Sequence, residues 1–202
     1  MLNAHALSLP AWGLLLAGAA GTALVLAQAL REALANSWVR ALGWSLGGSF
    51  AVGTGIWALQ LALWHATQDP LTAWFAATPL IGAWALAVGG SALVLLAARW
   101  LPSQGRVNLV TVALLVPLLC LVFVLLGSAM AVPPRWQDLA AAPTIAALAS
   151  TAVGAWVALQ WLNGPTPAGL RRPGWQRLGG AGMFALAWLV GNAALNGDMR
   201  IG

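Results

Sequence analysis

The side chains that could do chemistry in this chain are amides set within long apolar runs. Gln60 lies between Trp57 and Trp64 at helical spacing, so the three side chains share one face of a helix. An amide both donates and accepts hydrogen bonds, and burying one without partners is costly. This face is therefore a candidate lining for a ligand-binding pocket. The interpretation favoured for Gln60 is that it joins two helices by a hydrogen bond.

A second polar face is predicted near the carboxyl end of the chain. Trp188, Asn192, Asn196 and Met199 follow one another at steps of four, four and three residues, which places them on one side of a helix. Two amides one turn apart suggest a polar, hydrated pocket. Helix pairing close to the water interface explains the same pattern, and the sequence does not choose between the two.

Metal-ligating side chains are few and scattered. The weak candidates for ligands of a soft metal ion are Cys120, Met130, His65 and Met199. Cys120 lies in an apolar run without a neighbouring histidine or carboxylate, so it is interpreted as a small core residue. His65 points about 140° away from the Gln60 face, which favours a solvated position at a membrane interface. From these residues we expect no metal site and no cofactor.

Composition places these residues in a membrane. Hydrophobic residues make up 61% of the chain and charged residues only 6%, with a mean hydropathy of +0.84. A soluble domain carries about a quarter charged residues. The net charge of +5 comes from arginines spread over short loops, which indicates membrane topology rather than a nucleic-acid site. The expected partner is the lipid bilayer, and nucleic acid is not expected.

Six apolar runs are each long enough to cross a bilayer as a helix. The predicted spans are residues 11–30, 41–64, 72–98, 107–132, 138–162 and 177–196. They form a single integral membrane domain over residues 1–202, with an all-α fold. The first run is not interpreted as a cleaved signal peptide, because no basic residue precedes it.

Two further features concern packing of the spans. Small residues recur at helical spacing along the second span and are predicted to form its packing face: Gly47, Ala51, Gly55, Ala58 and Ala62. Pro117 lies in the middle of the fourth span and is predicted to bend that helix.

Arginines are distributed unevenly between the two sides of the predicted bundle. The loops after the first, third and fifth spans hold seven of the nine: Arg31, Arg40, Arg99, Arg106, Arg171, Arg172 and Arg177. The opposite side holds three of the four acidic residues. By the positive-inside rule, both termini are predicted to be periplasmic in a multi-pass protein of the bacterial inner membrane.

An internal repeat is also visible. Gln68-Asp69 recurs as Gln137-Asp138 after alternate spans, and Gly82-Ala83-Trp84 recurs as Gly154-Ala155-Trp156. The offsets are 69 and 72 residues. The repeating unit is predicted to be a helical hairpin present three times, an arrangement that commonly places a site where the repeats meet.

The segment SFAVGTGIWALQLALW, residues 49–64, resembles the first repeat of the bacterial MHYT domain. At the level of three helix pairs the resemblance covers the whole chain, whereas the motif itself matches over residues 53–60. The resemblance implies a sensor-like membrane module, which in the family is often joined to domains that make or degrade cyclic-di-GMP or to a kinase. The family's histidines and methionines are proposed to bind copper, with sensing of oxygen, CO or NO suggested.

The chain departs from this family at the expected ligands. Gln60 stands where the first repeat would place a histidine, and residues 123–127 and 191–195 hold no histidine in the other two repeats. An amide is a poor ligand for soft copper. Copper is therefore implied by the resemblance but not expected from the residues.

The leading functional hypothesis is a non-enzymatic sensory or regulatory membrane module that signals through a partner protein. No carboxylate pair, histidine cluster, Ser/His/Asp set or phosphate-binding glycine loop supports an enzyme. No acid or arginine occupies the middle of a span, where a proton-coupled transporter needs an ionisable group. A small-solute carrier or pore with a path past Gln60 and Asn192 is one alternative, and a scaffold subunit of a membrane complex is another.

Overall fold

The fold is all-helical throughout the part of the chain that the structure, a computed structural model, describes. The described residues are 9–34, 37–67, 76–101, 103–129, 141–163 and 174–198, and they include no strand. They form the helices α1 (Leu9–Ala33), α2 (Trp38–Thr67), α3 (Ala77–Arg99), α4 (Gln104–Ala129), α5 (Ala141–Asn163) and α6 (Gly174–Asp198). The predicted all-α class is confirmed.

The start of α3 differs from the prediction. The third span was expected from residue 72, but Ala76 has extended backbone torsions, φ −71° and ψ 125°, and the helix begins at Ala77. Pro79 therefore lies in the first turn, where a missing backbone N–H costs nothing because those N–H groups have no helical acceptor. The proline marks the beginning of the helix rather than a kink within it.

Four of the described helices are long and apolar enough to cross a membrane. The qualifying segments are Pro10–Ala33, Trp38–Leu63, Ala77–Arg99 and Gly105–Val122. At about 1.5 Å of rise per residue, the shortest of them is close to the thickness of a bilayer's hydrocarbon core, about 30 Å.

The helices form a closed ring. Each helix packs against the next one along the chain, and α6 returns to pack against α1. α1 and α2 run antiparallel, as the glycine contacts of α2 show. Gly48 lies against Ala29 and Gly55 lies against Thr22, so the position on α1 falls as the position on α2 rises. The interior of the ring is filled by apolar side chains from all six helices.

Among the described glycines, Gly53 of α2 lies nearest to the backbone of another helix, α3. A Cβ placed on Gly53 would lie 2.5 Å from Val88 Cα and 2.7 Å from the Ala87 carbonyl carbon. Only glycine fits at this position, because any side chain would overlap the backbone of α3. A similar contact joins α5 and α6, where a Cβ on Gly154 would lie 2.6 Å from Ala187 Cβ.

The small-residue packing face predicted for the second span was wrong. Gly47 meets nothing within 4 Å, and Ala51, Ala58 and Ala62 are exposed on the outside of the bundle. Only Gly55 of that set touches another helix closely. The face that packs carries Gly48, Val52, Gly53, Ile56 and Gln60 instead, because glycine notches alternating with bulky side chains interlock with both neighbouring helices.

The outward faces of the helices are as apolar as their inward faces. Each helix exposes at least one large hydrophobic side chain, including Leu14, Leu46, Leu93, Leu121, Val153 and Leu186. A helix that is apolar all round is typical of an apolar environment on both sides.

Candidate functional site

Gln60 is the polar side chain at the centre of the candidate site. It is only 1% exposed, and its Nε2 donates a hydrogen bond of 3.1 Å to the carbonyl oxygen of Leu119 on α4. The interhelical hydrogen bond that the sequence offered as one interpretation of Gln60 is therefore present. Its Oε1 is also buried and has no partner within the described residues. The amide thus ties α2 to α4, and its Oε1 accepts no hydrogen bond from the described residues.

Trp57 points toward a different helix. Its Nε1 donates a hydrogen bond of 3.2 Å to the carbonyl oxygen of Leu80 on α3. A second indole reinforces the same contact from the other side, since Trp84 Nε1 of α3 donates to Thr54 Oγ1 of α2 at 3.2 Å. Trp57 therefore holds α2 to α3, while Gln60, one turn further along, holds α2 to α4.

A small cavity lies between α1, α2, α4 and α6, beside the Gln60 hydrogen bond. Its volume is about 20 Å³, enough for one water-sized molecule. The lining residues are Ala19, Thr22, Leu26, Val52, Ile56, Leu59, Leu115, Leu119, Phe184 and Trp188. The Thr22 hydroxyl donates to the Gly18 carbonyl at 2.9 Å, so the cavity wall is apolar in character.

The structure brings two of the predicted site residues to this part of the interior. Trp188 is 4% exposed and lines the cavity. Gln60 is joined to the cavity through its hydrogen bond to Leu119, a lining residue that the sequence did not predict. The side chains of Trp64, Asn192 and Asn196 lie outside the described residues.

The candidate metal ligands do not form a described cluster. Cys120 is a free, partly buried cysteine on α4. Within the described segments there is no group of three His, Cys, Asp or Glu side chains that could hold a metal ion. Met130 and Met199 lie outside the described residues, as does the side chain of His65.

Several buried polar residues were missed by reasoning from the sequence. Ser91, Asn108 and Thr111 are each at most 1% exposed, on the facing helices α3 and α4. Ser91 Oγ and Thr111 Oγ1 have no partner in the part of the chain that the structure describes. The spacing of Asn108 and Thr111, three residues apart in an apolar run, was the available signal.

One end of the bundle carries most of its described charge. The C-terminal ends of α1 and α3 and the N-terminal ends of α2 and α4 meet there and bring together Arg31, Arg40, Arg99 and Arg106 with the single acid Glu32. Arg31 Nη2 donates to Gln28 Oε1 at 2.8 Å, and Gln28 Nε2 donates to Glu32 Oε1 at 3.0 Å. The Arg99 guanidinium lies 4.5 Å from the centre of the Trp38 ring, a cation–π contact.

Comparisons with protein-family models, curated proteins and solved structures give no match to this chain. The similarity to the MHYT domain therefore remains a prediction based on residues 49–64.

Proposed function

We propose that this protein is embedded in a bacterial inner membrane and crosses it six times as three repeated hairpins. Four helices long and apolar enough to span a bilayer support this proposal, together with the exposed apolar side chains on all six helices. The equivalent residues Ala83 and Ala155 of the suggested repeat are both buried in the core. The arginine-rich end faces the cytoplasm in this proposal, which leaves both termini periplasmic.

Within that membrane the protein acts as a non-enzymatic sensory or regulatory module. The observation that supports this proposal is the buried Gln60 amide beside a small cavity. It makes one hydrogen bond to α4, and its Oε1 has no partner among the described residues. Leu119 accepts the Gln60 hydrogen bond and also lines the cavity. A molecule that enters the cavity, or a shift of α4, therefore alters the hydrogen bond of Gln60. A signal of this kind requires that the ligand bind one arrangement of the helices more tightly than another.

The tight packing of the interior weighs against the carrier or pore. Interior residues of α2 and α4, such as Val52, Ile56, Leu63 and Val122, are at most 5% exposed. The cavity holds about one water-sized molecule, far less than the continuous path that a solute needs. A module that changes its helix contacts and signals through a partner protein agrees better with this interior.

A chromosomal Gln60→Leu variant tests the proposal in the bacterium that carries the gene. Leucine fills a similar volume without the hydrogen bond, so the variant is expected to fold and to lose the response. Ala62→Leu, on the exposed side of the same turn of α2, is the matched control and should respond as the natural protein does. The readouts are cyclic-di-GMP concentration, kinase phosphorylation and respiratory rate, together with crosslinking to identify the partner.

Two results would count against the module. One is that deletion of the gene leaves all three outputs unchanged. The other is that the purified protein in sealed vesicles carries a solute in a manner that depends on Gln60, which would favour the carrier instead.

A further inference from the structure

A groove opens on the outside of the bundle between α1 and α2, at the arginine-rich end. We call it the α1/α2 groove; its volume is about 460 Å³. Its floor is formed by Gly43 and Gly47, where an added Cβ would meet nothing within 4 Å. Val25 of α1 and Trp44 of α2 also line it. The groove is therefore open and has a largely apolar wall, and none of the described side chains fills the space over Gly43 and Gly47.

The length of the groove matches one leaflet of a bilayer. It extends along α2 from Arg40 to Ala51, eleven residues apart, which corresponds to about 16 Å along a helix. Half of a hydrocarbon core is about 15 Å. One turn beyond Ala51 the space is closed, because Thr22 Oγ1 lies 2.6 Å from the position of a Cβ on Gly55. An occupant therefore enters from the arginine-rich end and stops near the middle of the bundle.

The open end of the groove is positively charged. The Arg40 side chain is 66% exposed, and its Nε lies 3.7 Å from Glu32 Oε2. This ion pair engages Nε of the guanidinium. In the part of the chain that the structure describes, no described contact engages the terminal nitrogens, whose fork of N–H donors suits an anion. Carboxylate and phosphate both match this fork by geometry, and phosphate is the anion that phospholipid head groups supply.

We propose that the α1/α2 groove binds one anionic phospholipid, with an acyl chain over Gly43 and Gly47 and the phosphate on Arg40. The proposal rests on the membrane location proposed above. Basic pockets beside membrane-spanning helices are suited to anionic head groups, and the exposed glycines let a flexible chain lie directly on the helix backbone. A second copy of this chain fits less well, since two-fold pairing through this face brings the two Arg40 guanidinium groups together.

Native mass spectrometry of the full-length protein in mild detergent tests this site. The protein is titrated with dioleoyl-phosphatidylglycerol or with dioleoyl-phosphatidylcholine, and bound lipids are counted. One phosphatidylglycerol is expected per chain, with roughly tenfold preference over phosphatidylcholine. Both lipids carry the phosphate, but the choline cation of phosphatidylcholine neutralises its head group and is repelled by Arg40. Excess inorganic phosphate is expected to leave this lipid in place, because the apolar chain contributes to its binding.

Two pairs of variants separate the contributions of the head group and the acyl chain. Arg40→Gln is expected to remove the preference for phosphatidylglycerol, whereas Arg106→Gln, exposed at the same end of the bundle, should keep it. Gly47→Leu fills the groove and is expected to lose the bound lipid of either type. Gly89→Leu is its control, since Gly89 on α3 is also exposed and also faces open space.

Equal binding of both lipids by the natural protein and all four variants would overturn the proposal. A dimer that is present without lipid and is lost in Gly47→Leu would assign the groove to a second copy instead. Carbonate extraction of cell membranes distinguishes failure of the lipid-binding proposal from failure of the membrane proposal. A protein that carbonate releases from the membrane is not embedded in it. Gln60→Leu should bind phosphatidylglycerol normally, so loss of signalling and loss of lipid are independent results.

Discussion

The contact between α2 and α3 at Gly53 predicts a large effect from adding a single methyl group. In Gly53→Ala the new Cβ would lie 2.5 Å from Val88 Cα, whereas ordinary contacts of this type begin at 3.4 Å. The two helices must therefore separate by about 1 Å, which weakens the packing along their shared face. Overpacking of this kind costs about 1–3 kcal/mol of unfolding free energy.

Gly47→Ala is the matched control for this prediction. Gly47 lies on the same helix but faces open space. Both variants gain the same helix propensity on replacing glycine by alanine, about 1 kcal/mol, and this gain cancels in the comparison. Gly53→Ala is therefore expected to be about 1–3 kcal/mol less stable than Gly47→Ala. The measurement is reversible unfolding in mixed micelles with increasing sodium dodecyl sulfate, followed by circular dichroism. Equal stability of the two variants would refute the assignment of Gly53 to the contact between α2 and α3.

Three other changes can be measured in the same unfolding assay. Gln60→Leu is expected to change the free energy of unfolding by less than about 1 kcal/mol, because it removes the hydrogen bond and the buried Oε1 acceptor together. Gln60→Ala is expected to lower it by about 2 kcal/mol or more, because the smaller side chain leaves a cavity. Trp57→Phe removes the indole hydrogen bond to α3 and is expected to lower the free energy of unfolding by about 1 kcal/mol. A change near zero would mean that this bond does not hold the helices together. Leu95→Ala, at a fully buried position, is expected to cost about 2–5 kcal/mol. Leu93→Ala, 66% exposed on the same helix, is expected to cost much less, and similar losses for the two leucines would contradict the inward orientation of Leu95.

The all-helical class was predictable from the sequence. Long apolar runs bounded by arginines and polar turns define where a helix can lie, and this information is local. The start of α3 was missed because Pro79 is compatible both with a kink and with a first turn. Local sequence does not distinguish these two possibilities when the preceding residues are also helix-compatible.

The inward face of each helix was harder to predict. In a soluble helix the apolar stripe marks the buried side, but here both sides are apolar, as exposed Leu46 and buried Val52 on α2 illustrate. The stripe through Gly47 and Ala51 looked like a packing face because it is smooth. In the structure, the packed face of α2 instead carries Gly53 among bulky residues. Close helix packing needs protruding side chains that fit into grooves, as well as small residues that let the backbones approach.

The sequence by itself determined an all-helical chain of apolar helices with arginines gathered at one end, and it marked Gln60 as a polar residue needing a partner. Only the tertiary structure decided that this partner is the Leu119 backbone carbonyl, 59 residues away along the chain. A backbone carbonyl is the same in every residue, so no side-chain pattern identifies it. The cavity beside Gln60 and the groove at Arg40 were likewise decided by how the helices pack, because each is an empty space bounded by residues from separate helices.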